Sequence, residues 1–211
     1  MMRTQGACLH LQCRFAICLI LVLSIGLMSG CATRVAPPRQ LSEPVSVFLL
    51  DHGHHSSLVL PGESGGLVRY SYGDWRYYAL GQTDLFTGFK ALFRKTPGAL
   101  GRRELPGPQT AANVRSLIRI GIEQLFELHA DASDARRLRD DLDNLFNAGL
   151  ASRIYNAKMD LDFVPHPEPY TLWHNSNLMV ARWLGVLGFD VQEERPIGSN
   201  WSVVGDRSTH R

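Results

Sequence analysis

Two short clusters hold the side chains in this chain that could do chemistry. Asp51-His52-Gly53-His54-His55-Ser56-Ser57 puts three histidines within four positions, and His174-Asn175-Ser176-Asn177 places a hydroxyl among amides just before an apolar run. One chemistry is metal binding. On a strand, alternate side chains share a face, so His52 and His54 would point together, and two imidazoles with a third ligand from His174, Asp51 or His166 could hold zinc. No helical His-Glu-x-x-His or other recognised ligand spacing accompanies them. The second chemistry is nucleophilic. The first turn of a helix carries unpaired N–H groups and the positive end of the macrodipole, which favour an oxyanion-bearing group there. A neutral histidine within reach could take the proton of such a nucleophile. In a third reading Ser176 is the N-cap of its helix, the commonest task of a serine in that position, and the histidines mark a polar strand end. Local sequence leaves all three open.

The elements that would position these clusters can be read from apolar periodicity. Val45 to Leu50 is a buried strand, interrupted by the polar stretch Asp51 to Ser57 before Leu58-Val59-Leu60 resumes. Leu67 to Tyr72 follows a Gly-rich turn and suggests a hairpin with it. Trp75 to Phe93 reads as helix or irregular wall, and Ala99 to Pro108 as a loop or edge strand. Apolar residues from Ala111 to Leu128 fit a helix, weakened at Gly121. Ser133 is a plausible N-cap for Asp134 to Asn147, with Leu138, Leu142, Leu145 and Phe146 as its stripe, Asp140, Asp141 and Asp143 on a solvated face, and Gly149 as its stop. A Pro-rich passage (Pro165, Pro167, Pro169) leads to the helix after Ser176, whose Ala181, Gly185 and Gly188 share a face suited to close approach to a sheet. Phe189 to Val191 and Trp201 to Val204 supply further strands. This order suits an α+β domain, an antiparallel sheet packed on helices, better than an alternating parallel one.

The cysteines speak of address. All four (Cys8, Cys13, Cys18 and Cys31) lie in the first 31 residues. Arg3 and Arg14, the apolar stretch Phe15 to Met28, and small residues before Cys31 describe a secretory signal. That stretch is shorter than the ~20 residues of a permanent membrane helix. Leu27-Met28-Ser29-Gly30-Cys31 resembles the lipobox of bacterial lipoproteins, which implies cleavage after residue 30 and a lipid on Cys31. Two or more acyl chains anchor stably where one is marginal. In many proteobacterial lipoproteins a residue other than Asp after the cysteine, here Ala32, goes with delivery to the outer membrane, facing the periplasm. The expected organisation is a signal peptide over 1–30, a lipidated cysteine and extended tether over 31–44, and one domain over 45–211. The mature chain would have 181 residues, twenty basic against twenty acidic, and no cysteine beyond Cys31. A neutral body argues against a nucleic-acid partner, and no internal disulfide is possible.

Three segments of the domain carry a family resemblance. His52-Gly53-His54-His55-Ser56-Ser57-Leu58-Val59-Leu60, Tyr70-Ser71-Tyr72-Gly73-Asp74-Trp75-Arg76-Tyr77-Tyr78 and Ser176-Asn177-Leu178-Met179-Val180-Ala181 resemble, in the same order, the motifs of an uncharacterised family of bacterial envelope proteins first noted near urease genes. That family is similar to circularly permuted papain-like hydrolases of the NlpC/P60 kind, in which a cysteine opening a late helix attacks an acyl carbon and a histidine on an early strand is its base. The resemblance implies a papain-like fold, with His55 at the family histidine and Asn177 and Asp74 at its polar neighbours. The nucleophile position holds Ser176 instead of cysteine. A serine hydroxyl needs concerted base removal where a thiol ionises readily. The resemblance therefore implies either a degenerate member that binds a cell-wall peptide, a lipid or an envelope protein in a cleft between the His55 strand and the Ser176 helix, or a Ser/His acyl hydrolase with the amides near Asn177 binding the oxyanion. Neither requires a cofactor.

Overall fold

The structure is a computed structural model that describes residues 32–82, 95–192 and 198–205, all within the unit that runs from Ala32 to Arg211. Met1 to Cys31, with the expected signal peptide and lipidation site, lies outside the described residues. Among the described residues no helix is long and apolar enough to cross a membrane.

The described chain is a mixed α+β domain. Its strands are β1 (Thr33–Ala36), β2 (Pro44–Asp51), β3 (Ser56–Pro61), β4 (Leu67–Asp74), β5 (Thr96–Leu105), β6 (Gln124–Asp131), β7 (Ile154–Asn156), β8 (Leu161–Tyr170), β9 (Asp190–Gln192) and β10 (Trp201–Val203). Its α-helices are α1 (Ala111–Leu117), α2 (Ala132–Ala148) and α3 (Ser176–Val186). Seven strands form one sheet in the order β6-β2-β3-β4-β5-β8-β7, every pair antiparallel. A smaller sheet pairs β1 with β10 in parallel and with β9 antiparallel.

The large sheet is covered on both faces, which is why β2 reads as a nearly continuous apolar run rather than an alternation. Val47, Leu49, Leu58, Leu60, Val68, Tyr70 and Tyr72 join the core under α2 and α3. Their chain neighbours Phe48, Leu50, Val59 and Leu67 pack on the opposite face with Val114 and Ile118. The period of two sends successive residues of one strand into two different cores. Helix α3 lies across β3 and β4 through Met179, Val180, Ala181, Trp183 and Leu184.

Several expectations change. The stretch expected as an extended tether is in part folded: Val35 is fully buried in β1, a strand too short to show a period. The helix expected over Ala111 to Leu128 ends at Leu117, and β6 follows, because Phe126, Leu128 and Ala130 are buried on a period of two. Ala99 to Pro108 lies mostly in β5, an inner strand between β4 and β8. Asp131, not Ser133, caps α2, accepting from the Ser133 amide at 3.1 Å. Asp143 leaves the solvated face to bind the Tyr70 hydroxyl at 2.5 Å and Arg102 Nε at 2.6 Å. Gly185 and Gly188 are exposed rather than packed on the sheet.

Candidate functional site

The first histidine cluster is a turn, not a strand. His52 to His55 connects β2 to β3, closed by the His52 amide donating to the His55 carbonyl at 3.0 Å. Gly53 has φ +86°, the left-handed region open to glycine, and a Cβ there would collide with the Glu123 carboxylate. Asp51 accepts from the Gly53 amide at 2.7 Å and from the Ser199 hydroxyl, so it braces the turn instead of orienting His55. His52 and His55 stack at 4.8 Å, while His54 is exposed.

His52 is fully engaged. Its Nδ1 faces the Gly121 carbonyl at 2.6 Å, and because a carbonyl only accepts, Nδ1 carries the proton. Nε2 therefore accepts, from the Ser57 hydroxyl at 2.9 Å and from Arg69 at 3.4 Å. Burial, then the charges of Arg69 and His55, push its pKa from 6.5 down to about 3. Burial likewise brings His55 down to about 4, with Arg69 and His54 adding to the effect. Both imidazoles are neutral at neutral pH. His55 Nε2 is buried and has no hydrogen-bond partner.

Ser176 occupies the first turn of α3 and is almost completely buried. It is not the N-cap. The Asn175 side chain takes that place, accepting from the Asn177 amide at 3.0 Å and the Leu178 amide at 3.1 Å. The amides expected to form an oxyanion hole are thus already bonded. Asn177 is structural: its Oδ1 accepts from the Ser56 hydroxyl at 2.9 Å, Ser56 Oγ accepts from the Trp201 indole at 2.8 Å, and Asn177 Nδ2 donates to the Gly198 carbonyl at 2.8 Å. This chain ties α3 to β3 and β10.

Tyr78 is what His55 and Ser176 share. It sits in a π-helical turn (Trp75–Ala79) capped by Asp74, whose Oδ1 accepts from the Tyr77 amide at 2.7 Å. Gly73 makes room for it, since a Cβ at that position would overlap the Tyr78 ring. His55 meets the ring edge-on at 5.6 Å. Burial and the neighbouring Tyr170 and Tyr77 push the phenol pKa up, and the Ser176 hydroxyl, beside the Tyr78 oxygen, partly offsets this by hydrogen bonding. Among the described residues no hydrogen bond joins His55 to Ser176. Asp74 Oδ2 is buried without a partner. The Asp74 carboxylate acts on Tyr72, Tyr78 and Tyr170, and among the described residues no hydrogen bond joins it to His55.

His174 stands apart. Its Nδ1 lies 2.9 Å from both the Pro169 carbonyl and the Tyr72 hydroxyl, and its Nε2, which makes no hydrogen bond, is 2.7 Å from the Glu168 carboxylate. His166 packs edge-on against Tyr72 at 5.0 Å. With His52 saturated, His54 exposed and His174 bound to β8, the three histidines weighed as zinc ligands do not converge. Among the described residues no group of three histidine, cysteine or acidic side chains could hold a metal ion. Two cavities, of about 390 and 300 Å³, lie elsewhere and include none of these residues.

Comparison with known protein families, curated proteins and solved structures returns no match. Four residues central to this geometry were not visible as such in the sequence. Tyr78 sits inside a segment that carries the resemblance, and Asn175 inside the His174-Asn175-Ser176-Asn177 cluster. Trp201 offered no signal beyond strand propensity. Arg69 stood out only as a charge inside an otherwise apolar strand, Leu67-Val68-Arg69-Tyr70.

Proposed function

We propose that this chain is a cell-envelope lipoprotein, carried on the membrane by Cys31 and facing the periplasm. Its domain would derive from a papain-like hydrolase and bind an envelope ligand without turning it over. Support for the ancestry comes from layout. A histidine precedes β3, a hydroxyl residue opens the late helix that packs on β3 and β4, and both border the same tyrosine.

The observation that carries the non-catalytic reading is the bonding around Ser176. Among the described residues its hydroxyl makes no hydrogen bond to an imidazole and acts instead on the Tyr78 phenol, and the next two amides are taken by Asn175. An acyl-transfer site needs the nucleophile–base contact and free donors aimed at the developing oxyanion. Losing one such donor typically costs about a hundredfold or more in rate. Neither Asp51 nor Asp74 orients His55, because Asp51 braces the turn and Asp74 caps the helical turn. The ligand classes this reading admits are a cell-wall peptide, a lipid or a segment of another envelope protein.

The deciding experiment exposes the mature protein to a fluorophosphonate probe. We expect no labelling of the natural protein. Labelling that Ser176→Ala abolishes would establish the competing reading, an active Ser/His acyl hydrolase. Incorporation of labelled palmitate lost in Cys31→Ala tests the anchor, and incorporation that survives the substitution refutes it.

A further inference from the structure

Among the described residues, Arg69 is a buried charge without an opposite charge of its own. It lies on β4, on the face opposite Tyr70 and Tyr72, and is 1% exposed. Its guanidinium donates to the Ser57 hydroxyl at 3.1 Å and the Met159 carbonyl at 3.2 Å, and meets His52 Nε2 at 3.4 Å. All three partners are neutral. Among the described residues no carboxylate forms an ion pair with it. A neighbouring pair does not offset it: buried Asp160 is bound to the partly exposed Arg103, whose own charge acts on Arg69. Among the described residues the charge of Arg69 is therefore left uncompensated in the interior. Fully burying an unpaired ion costs several kcal/mol even after relaxation, and proteins rarely bury arginine without an anion.

The surroundings are arranged for one. A guanidinium has five donors, and three are used here. His55, within the field of Arg69, has a buried Nε2 with no partner. His52, Gly53 and His55, in the turn whose His52 meets Arg69, are only half-buried. Glu123, whose carboxylate lies against Gly53, makes no ion pair with Arg69.

We propose that the spare N–H groups of Arg69, together with His55 Nε2, form a binding site for a small oxyanion, the carboxylate or phosphate group of the ligand, beside the His52–Ser57 pair that holds the guanidinium in place. An anion there completes the charge balance of the Arg69–Arg103–Asp160 group and gives His55 Nε2 a hydrogen-bond partner. The guanidinium fork matches such groups in a planar, two-point fashion. The inference rests on the binding reading above only in placing the rest of the ligand toward Tyr78 and Ser176. The oxyanion site itself stands on the uncompensated guanidinium.

The test titrates the mature protein with sodium acetate and with sodium phosphate against sodium chloride of equal ionic strength, following the histidine ring resonances and the melting temperature. The expected result is a saturable shift of the His52 and His55 resonances and a rise in melting temperature that chloride does not reproduce. A stronger response to acetate identifies a carboxylate-bearing ligand, and a stronger response to phosphate a phosphate-bearing one. Arg69→Met should abolish the response. If that variant does not fold, Arg69→Lys keeps the charge but loses the fork, and should weaken the affinity on the order of tenfold. No saturable response of the natural protein to either anion, or an undiminished affinity in Arg69→Lys, overturns the proposal. Neither outcome depends on fluorophosphonate labelling: a labelled protein that binds acetate refutes inactivity alone, and an unlabelled one that ignores both anions refutes the oxyanion site alone.

Discussion

Mild acid should destabilise this domain through the stacked pair His52 and His55, and the size of the effect follows from where they sit. Both are held neutral by burial and by Arg69, at about 3 and about 4 instead of 6.5. In the unfolded chain each takes up a proton near pH 6.5, while in the fold neither does until the pH is well below 5. The unfolded state therefore binds more protons across this window, and stability falls as the pH is lowered. Each histidine costs ~1.4 kcal/mol per pH unit below 6.5. Between pH 7 and pH 5 that is about 2 kcal/mol apiece and about 4 kcal/mol together. The two add at pH 5 because both rings are still neutral in the fold, so their mutual repulsion has not begun. For a domain whose whole stability is ~5–15 kcal/mol this is a large share. Urea unfolding followed by tryptophan fluorescence at pH 7, 6 and 5 measures it. His55→Gln, at a side chain with no hydrogen bond to lose, should remove about half of the pH-dependent loss. Equal stability at pH 7 and pH 5, or a His55→Gln variant with an unchanged pH slope, would refute the burial argument for both rings.

Three further outcomes test the architecture. Val35→Ala should cost about 1–3 kcal/mol in chemical denaturation, since β1 belongs to the core; no measurable loss would return residues 33–36 to a free tether. Asn175→Ala should destabilise the fold by ~1 kcal/mol through loss of the α3 cap, and amide exchange at Asn177 and Leu178 should accelerate; unchanged protection there would show that Asn175 is not their acceptor. Asp143→Ala should cost about 1–3 kcal/mol because the Tyr70 hydroxyl loses its acceptor, and Tyr70→Phe in that background should recover part of the loss; additive losses would mean the two side chains do not interact.

Much of the scaffold was legible along the chain, and the reasons are local. β2, β3 and β4 announced themselves as β-branched apolar runs bounded by Pro, Gly and Asp, and the helix ending at Gly149 by its stripe and stop. The stretch 111–131 misled because a short helix and a strand both place apolar residues at mixed spacings, and only packing distinguishes them. Asp51 to Ser57 does interrupt the strands, and the strand geometry that the metal reading needs is absent at the histidines. Histidines spaced to share a strand face lose that relation once Gly53 takes a left-handed conformation, which sends His52 toward Arg69 and His54 to solvent.

By itself, the sequence determined the chemical inventory. The expected mature domain has no thiol besides Cys31, a serine stands where the resembling family has its cysteine, and His55 and Ser176 lie at opposite ends of the fold in chain order. Composition and motif order are properties of the chain and need no folding to be read. Only the tertiary structure decided which groups meet. Strand pairing places Gly73 where Tyr78 can lie between His55 and Ser176, and a cap one residue upstream occupies the amides an oxyanion would need. Burial then leaves Arg69 charged among neutral partners. Hydrogen bonding and desolvation depend on neighbours up to 148 residues away along the chain, and that separation is why no local pattern in the sequence could disclose them.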